Sequence, residues 1–215
     1  MTPSLIFCGK SGRTFLWNFL RWKDSRSNLC VKAAGAIGKP TLVIFSDGSK
    51  DAYGCVAYIR WKLADGSYVS SLIASKNRIA PLKIIDIVRL ELAAAVLGIR
   101  LRIFIEKESG FEYEEVYHIT DSEIVKAMIS KQSYGFNTYA ANRIGEIQRF
   151  SNENEWYWAP GQLNIADWIT RGEKPSELNH DSIWQNGPQF LSTSVAQWPV
   201  KQETSFLREA VQLLV

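Results

Sequence analysis

Between Thr41 and Ser49 the chain reads Thr-Leu-Val-Ile-Phe-Ser-Asp-Gly-Ser. Four apolar residues, partly β-branched, run into a single carboxylate and stop at Gly-Ser. An unbroken apolar run of this length predicts a buried strand. Asp47 then stands at the strand's C-terminal end, where a sheet presents side chains to solvent and ligands. Asp-Gly is also a common turn pair. This stretch alone therefore leaves Asp47 open between a turn residue and a functional one, and the rest of the chain must supply its partners.

The segments that follow build a sheet around that strand. Strands are predicted over about 41–47, 53–62 and 67–75, with a turn at Ala64-Asp65-Gly66 joining the last two into an antiparallel meander. Leu90, Ala94, Leu97 and Leu101 fall at helical spacing and predict a helix from 84 or 88 to about 104. Small residues beside that stripe (Ala94, Ala95, Gly98) would let the helix approach the sheet closely next to Glu91. A strand at 115–120, helices at 122–130 and 137–150, a strand at 155–159 and a short helix at 163–170 complete the order. A meander followed by alternating strands and helices predicts a mixed α/β sheet with helices packed on it. Phe15–Trp22 and 202–215 are expected to be helical. The stretch 33–40 reads as a linker, and 106–115, with five acids, as an exposed loop. The expected divisions are an N-terminal extension (1–40), a central domain (41–172) and a C-terminal extension (173–215).

Composition excludes several chemistries. The three cysteines, Cys8, Cys30 and Cys55, are far apart and fit neither a disulfide framework nor a zinc site. His118 and His180 have no metal-ligand spacing, which disfavours zinc or Ser-His-Asp catalysis. The apolar core near the N-terminus is too brief for a secretory signal, and no apolar run is long enough to cross a membrane. An intracellular protein without a membrane partner is expected. A net charge of +3 permits a nucleic-acid partner without arguing for one. The basic residues of 76–102 offer a candidate contact surface.

Three further acids stand where Asp47 needs them. Asp121 ends the fourth strand, Glu91 interrupts the apolar helix, and Asp167 opens the last short helix. Each alone has an ordinary structural role: an N-cap for Asp121, an exposed helix edge for Glu91, a first-turn acid for Asp167. Together they could converge on one point. Carboxylates gathered without basic partners repel one another and attract cations. Oxygen-only ligation suits Mg²⁺ or Mn²⁺, and two such ions can activate a water against a phosphodiester.

Phe45-Ser46-Asp47-Gly48-Ser49, Arg89-Leu90-Glu91-Leu92, Thr120-Asp121-Ser122 and Ala159-Pro160-Gly161 … Asn164-Ile165-Ala166-Asp167 … Thr170-Arg171-Gly172 resemble the motifs of type 1 ribonuclease H. More narrowly, they resemble the ribonuclease H-like region of BEL/Pao retrotransposon polyproteins. The resemblance spans roughly 41–200. It implies the ribonuclease H-like fold, a five-stranded mixed sheet of three antiparallel strands and then parallel ones, flanked by helices. It also implies two divalent ions, Mg²⁺ or Mn²⁺, held by Asp47, Glu91, Asp121 and Asp167. Hydrolysis of the RNA strand of an RNA–DNA hybrid would follow, beside a reverse transcriptase domain of the same polyprotein, in the cytoplasm or a virus-like particle. Ser49, Lys76, Asn77, Arg78, Trp158 and Arg171 become candidate substrate contacts. Trp158 stands where many relatives have a His, which would lower turnover rather than abolish metal binding. Val88 stands where relatives often have Pro. The alternatives are a catalytically weak or inactive connection module, an aspartic peptidase and an integrase-like transferase. The peptidase lacks its Asp-Thr/Ser-Gly turns, and an integrase usually orders its acids Asp, Asp, Glu.

Overall fold

Strand β1 (Ala36–Gly48) lies at the centre of the sheet, which explains why its apolar run does not alternate with polar residues. The computed structural model describes residues 32–82, 86–172 and 181–202. The helices expected at 15–22 and 202–215 fall outside them. β1 pairs antiparallel with β2 (Ala52–Leu63), which pairs antiparallel with β3 (Tyr68–Ile79). On its other side β1 runs parallel to β4 (Glu115–Thr120), and β4 runs parallel to β5 (Trp156–Trp158). The order is β3-β2-β1-β4-β5, the expected five-stranded mixed sheet.

Successive residues of β1 serve two cores, as the pleat requires. Leu42 and Ile44 pack with Cys55, Ala57 and Ile59 against Leu97, Leu101 and Ile105 of helix α1 (Ile87–Ser109). Val43 and Phe45 pack on the other face with Val56, Tyr58 and Tyr117. Helices α2 (Glu123–Ile129) and α3 (Thr138–Phe150) extend the first layer through Val125, Met128, Ile144 and Ile147.

Four boundaries differ from expectation, each for a local reason. β3 runs to Ile79 instead of ending near 75, because Lys76, Asn77, Arg78 and Ile79 stay paired with Cys55, Gly54, Tyr53 and Ala52 of β2. β1 begins at Ala36 because Gly38 takes a left-handed φ of 69° and lets the strand shift register between Ile37 and Thr41. Pro40 sits in that irregular stretch, where no ladder N–H is needed. α1 continues to Ser109 instead of ending near 104, so the first acids of the supposed loop form its last turn. Buried Ile105 prolongs the apolar stripe, and Arg102 binds both Glu106 (2.8 Å) and Glu155 (2.6 Å). The short helix expected at 163–170 is instead a 3-10 turn (Gly161–Leu163) followed by α4 (Asp167–Arg171).

Residues 181–202 cover the face of the sheet opposite α1. Trp184, Phe190, Leu191 and Trp198 join Phe45, Tyr58 and Tyr117 in one core, and α5 (Ile183–Asn186) is capped by Ser182. Arg60, buried on β2, clamps this cover. It donates to the carbonyls of Leu191 (2.7 Å) and Thr193 (2.5 Å), while its guanidinium lies 3.6 Å from the Tyr68 ring. Lys201 then pairs antiparallel with Trp158 and closes the β5 edge. None of the described helices is long and apolar enough to cross a membrane.

His118 on β4 is 1% exposed and stacks on Trp156 at 4.6 Å. Burial, aided by repulsion from Arg102, lowers its pKa to about 3. The unfolded chain takes up this proton below about pH 6.5, whereas the folded chain refuses it until about pH 3. His118 therefore costs stability as pH falls through that window, by about 1 kcal/mol per pH unit. Denaturant unfolding of His118→Leu between pH 6 and pH 4 is expected to show a smaller loss of stability on acidification than wild type. Parallel pH profiles would refute this.

Candidate active site

Asp47 and Asp121 leave two adjoining parallel strands side by side, because Ser46 is in register with Thr120 one residue earlier. Asp47 is 4% exposed, and the Thr170 hydroxyl of α4 donates to its Oδ2. Gly48 then brings the strand against the second turn of α1, where Glu91 lies. A Cβ on Gly48 would stand 2.5 Å from the Glu91 amide nitrogen. This contact fixes Glu91 beside the end of β1.

Asp47, Glu91 and Asp121 each have a dedicated hydrogen-bond donor, and Asp167 has an ion pair. Ser122, the N-cap of α2, accepts the Val125 amide and donates its hydroxyl to Glu91 Oε2 at 2.6 Å. Asn164 spans two strands: its Nδ2 donates to Asp121 Oδ1 and to the Ser46 carbonyl, both at 3.0 Å. Gly161 leaves room for Asp121, since a Cβ there would stand 3.2 Å from its Oδ2. Arg171 Nε stands 2.5 Å from Asp167 Oδ1. Ser49 binds α4 to the β1–β2 turn: its hydroxyl reaches the Thr170 carbonyl at 3.0 Å and accepts the amides of Asp51 and Ala52.

The acids act on one another. Burial, and then repulsion from Asp121 and Asp47, raise Glu91 to about 7 against the pull of Ser122. Burial and Asp47 raise Asp121 to about 6. Asp167 is raised by the same two causes, with Arg171 opposing them. Among the described residues no three His, Cys, Asp or Glu side chains stand as a ready-made metal cage. The donor set nevertheless suits a hard divalent cation: it offers carboxylate oxygens only, held apart by repulsion that a cation would relieve.

The expected substrate contacts lie at two distances. Trp158 is next to the acids, and its indole Nε1 donates to the Asp121 carbonyl at 2.9 Å with Lys201 over the ring at 5.6 Å. Lys76, Asn77 and Arg78 sit on β3, two strands out, since Asp47 aligns with Gly54 and Gly54 with Asn77. That places them roughly 10 Å from Asp47 along the hydrogen-bonding direction. Asn77 and Arg78 are exposed; Lys76 is half-buried.

Thr170, Ser122 and Asn164 were not singled out as site residues from sequence. A signal was present, since each is a hydroxyl or amide within three residues of one of the acids. Their pairing depends on tertiary contacts that spacing does not reveal.

Residues 22–122 match the family described as Pao retrotransposon-like RNaseH-like domain. The match contains Asp47, Glu91 and Asp121 and ends before Asp167. No match was found among curated proteins. Among solved structures the chain is similar to the N-terminal RNase H domain of a Mycobacterium tuberculosis protein, fused to maltose-binding protein. That likeness has a TM-score of 0.39 and 15% identity, over 58% of this chain and 86% of that one. It is also similar to RNase H1 of the halophilic archaeon Halobacterium salinarum NRC-1 (TM-score 0.31, 10% identity, 59% and 89% covered). A third is LC11-RNase H1 in complex with an RNA/DNA hybrid (TM-score 0.32, 13% identity, 59% and 89% covered). Residues 22–122 thus match the Pao retrotransposon-like RNaseH-like domain, and they contain strands β1 to β4 of the five-stranded mixed sheet.

Proposed function

We propose that this protein is a divalent-metal-dependent endonuclease that hydrolyses the RNA strand of RNA–DNA hybrids. The observation that carries the reading is the meeting of four acids, from β1, α1, the end of β4 and α4, at one rim of the sheet. There repulsion from Asp47 helps raise the pKa of Glu91, Asp121 and Asp167, and of these acids Asp167 alone pairs with a base, Arg171, among the described residues. A purely structural role would favour ion pairs.

Asp47, Glu91, Asp121 and Asp167 would hold Mg²⁺ or Mn²⁺. When bound, two such ions supply an acidified water and neutralise charge on the leaving 3′ oxygen. The chain's own groups orient the acids: Thr170 for Asp47, Ser122 for Glu91, Asn164 for Asp121. Lys76, Asn77 and Arg78 on the β3 rim would meet the nucleic-acid backbone, with minor-groove contacts to 2′-hydroxyls distinguishing RNA. Trp158 offers a stacking face. Arg171 would release Asp167 to the cation and turn toward substrate phosphate. The proposed partner is a reverse transcriptase domain of the same polyprotein.

Incubation of an end-labelled hybrid with the protein tests this. Cleavage of the RNA strand in Mg²⁺ or Mn²⁺, leaving 5′-phosphate and 3′-hydroxyl ends and stopping on chelation, is expected. An intact RNA strand in both metals, with the hybrid bound, would favour a second reading, a binding module that keeps the fold without turnover. The observation behind that reading is Trp158, which places an indole with no titratable proton beside Asp121.

A further inference from the structure

A second charged cluster, a basic one, lies where the starts of α1 and α3 meet. The ring of Tyr139 in α3 packs against two guanidinium groups, those of Arg143 at 3.4 Å and Arg89 at 5.3 Å. The Tyr139 hydroxyl donates to the Arg89 carbonyl at 3.2 Å, and Arg143 Nη1 donates to the Tyr139 carbonyl at 3.0 Å. Three residues from two helices thus form one prearranged unit. Arg89 is exposed and precedes Glu91 by two positions on α1.

The placement is unfavourable for the protein alone. Helices α1 and α3 run in the same direction, since Tyr139 meets Arg89 near their starts and Glu146 meets Arg100 farther along. Their N-termini, the positive ends of their dipoles, therefore lie together. Neither helix has an acid in its first turn, where acids are favoured, and Arg89 occupies that position in α1. The carboxylates nearby compensate only in part, since Glu146 attracts Arg143 from beyond ion-pair distance. Asp86 serves as the α1 N-cap, and Glu146 is held at both oxygens by Arg100 (2.6 and 2.8 Å). Neither Arg89 nor Arg143 makes an ion pair among the described residues. Two guanidinium groups gathered against one ring at two helix N-termini, neither in an ion pair among the described residues, suit an oxyanion.

We propose that Arg89, Tyr139 and Arg143 bind a backbone phosphate of the nucleic-acid duplex, away from the one cleaved. This inference rests on the nuclease reading and names a contact of the same substrate. Arg89 lies two positions before Glu91 at the start of α1, its side chain turned toward α3 and that of Glu91 toward Ser122, so a phosphate held here would seat the strand alongside the four acids and not on them. Lys76–Arg78 lie on the other flank, on β3. A duplex would thus be gripped on both sides of the acidic rim. The guanidinium groups held against Tyr139 supply a forked donor geometry, which an ammonium group would not reproduce.

Binding to a fluorescently labelled RNA–DNA hybrid, measured by anisotropy in Ca²⁺ over a range of NaCl, tests the contact apart from catalysis. Arg89→Ala/Arg143→Ala is expected to bind about ten-fold more weakly at low salt. The slope of log affinity against log salt should fall by about 1, the signature of one lost phosphate. Arg143→Lys, which keeps charge and fold, should recover only part of the loss. Unchanged affinity and slope in folded variants, with wild type binding the hybrid, would overturn this contact alone. Failure of wild type to bind the hybrid would instead overturn the nuclease reading together with this contact.

Discussion

Asp47→Asn is expected to lower hybrid cleavage by at least about 10³-fold, roughly 4 kcal/mol of barrier, while leaving the metal-free protein as stable as wild type or more so. The two effects share a cause. Asp47 is a buried carboxylate that repels three others, and it appears among the causes that raise Glu91, Asp121 and Asp167. An amide of the same shape removes that repulsion, and its oxygen still accepts the Thr170 hydroxyl. The gain in stability should be about 1 kcal/mol, or 2–4 °C in melting temperature for a chain of this size. A carboxylate kept for structure would behave in the opposite way, since a neutral amide accepts the Thr170 hydroxyl more weakly and would loosen the β1–α4 contact. Thermal melts in chelator and cleavage assays in Mg²⁺ separate the cases. Retained cleavage would remove Asp47 from the mechanism. A melting temperature lowered by many degrees would make it a structural residue.

What sequence revealed and what it concealed follow from the range of the forces involved. β4 was legible to the residue, because a short apolar strand closed by Asp121 is a local signal. Asp47, Asp121 and Asp167 were legible as ends of elements and Glu91 as a charge interrupting an apolar helix, and the strand order sets the ends of β1 and β4 side by side. The early start of β1 was hidden because it needs a left-handed Gly38 to carry the pairing past Pro40. The cover formed by 181–202 was hidden because turns and 3-10 segments have no apolar period. Its Trp184, Phe190, Leu191 and Trp198 become core only when Arg60 and Tyr58 hold the segment's carbonyls from 126 or more positions away. The last turn of α1 was hidden in an acidic run that Arg102 and Glu155 reconcile from different parts of the chain. Tyr139 and Arg89 are separated by 50 positions, and no spacing rule joins them.

Gly48→Ala carries the second large expectation: a loss of about 3 kcal/mol, some 6–12 °C in melting temperature, together with most of the cleavage activity. The strand approaches α1 so closely that an added Cβ would meet Glu91 N at 2.5 Å, the Leu90 carbonyl carbon at 2.6 Å and Glu91 Cα at 2.9 Å. All three are helix backbone atoms, which cannot rotate away as a side chain can. Relief requires the helix to move as a body, yet its Leu92, Leu97, Leu101 and Ile105 are buried and Gly98 already lies against Ile44. A displacement near 1 Å would carry Glu91 from the other acids, and misplacement on that scale costs about 10²-fold in rate. Gly145→Ala provides the contrast. That glycine lies inside α3, where a Cβ would meet only Ser133 at 3.8 Å. Alanine there should stabilise the helix by about 0.5–1 kcal/mol and leave cleavage unchanged. The pair of substitutions adds one methyl each at normal backbone angles, so melting and cleavage compared between them isolate the close approach at Gly48. Equal behaviour of the two would mean that α1 yields freely and that Glu91 is held by Ser122 alone.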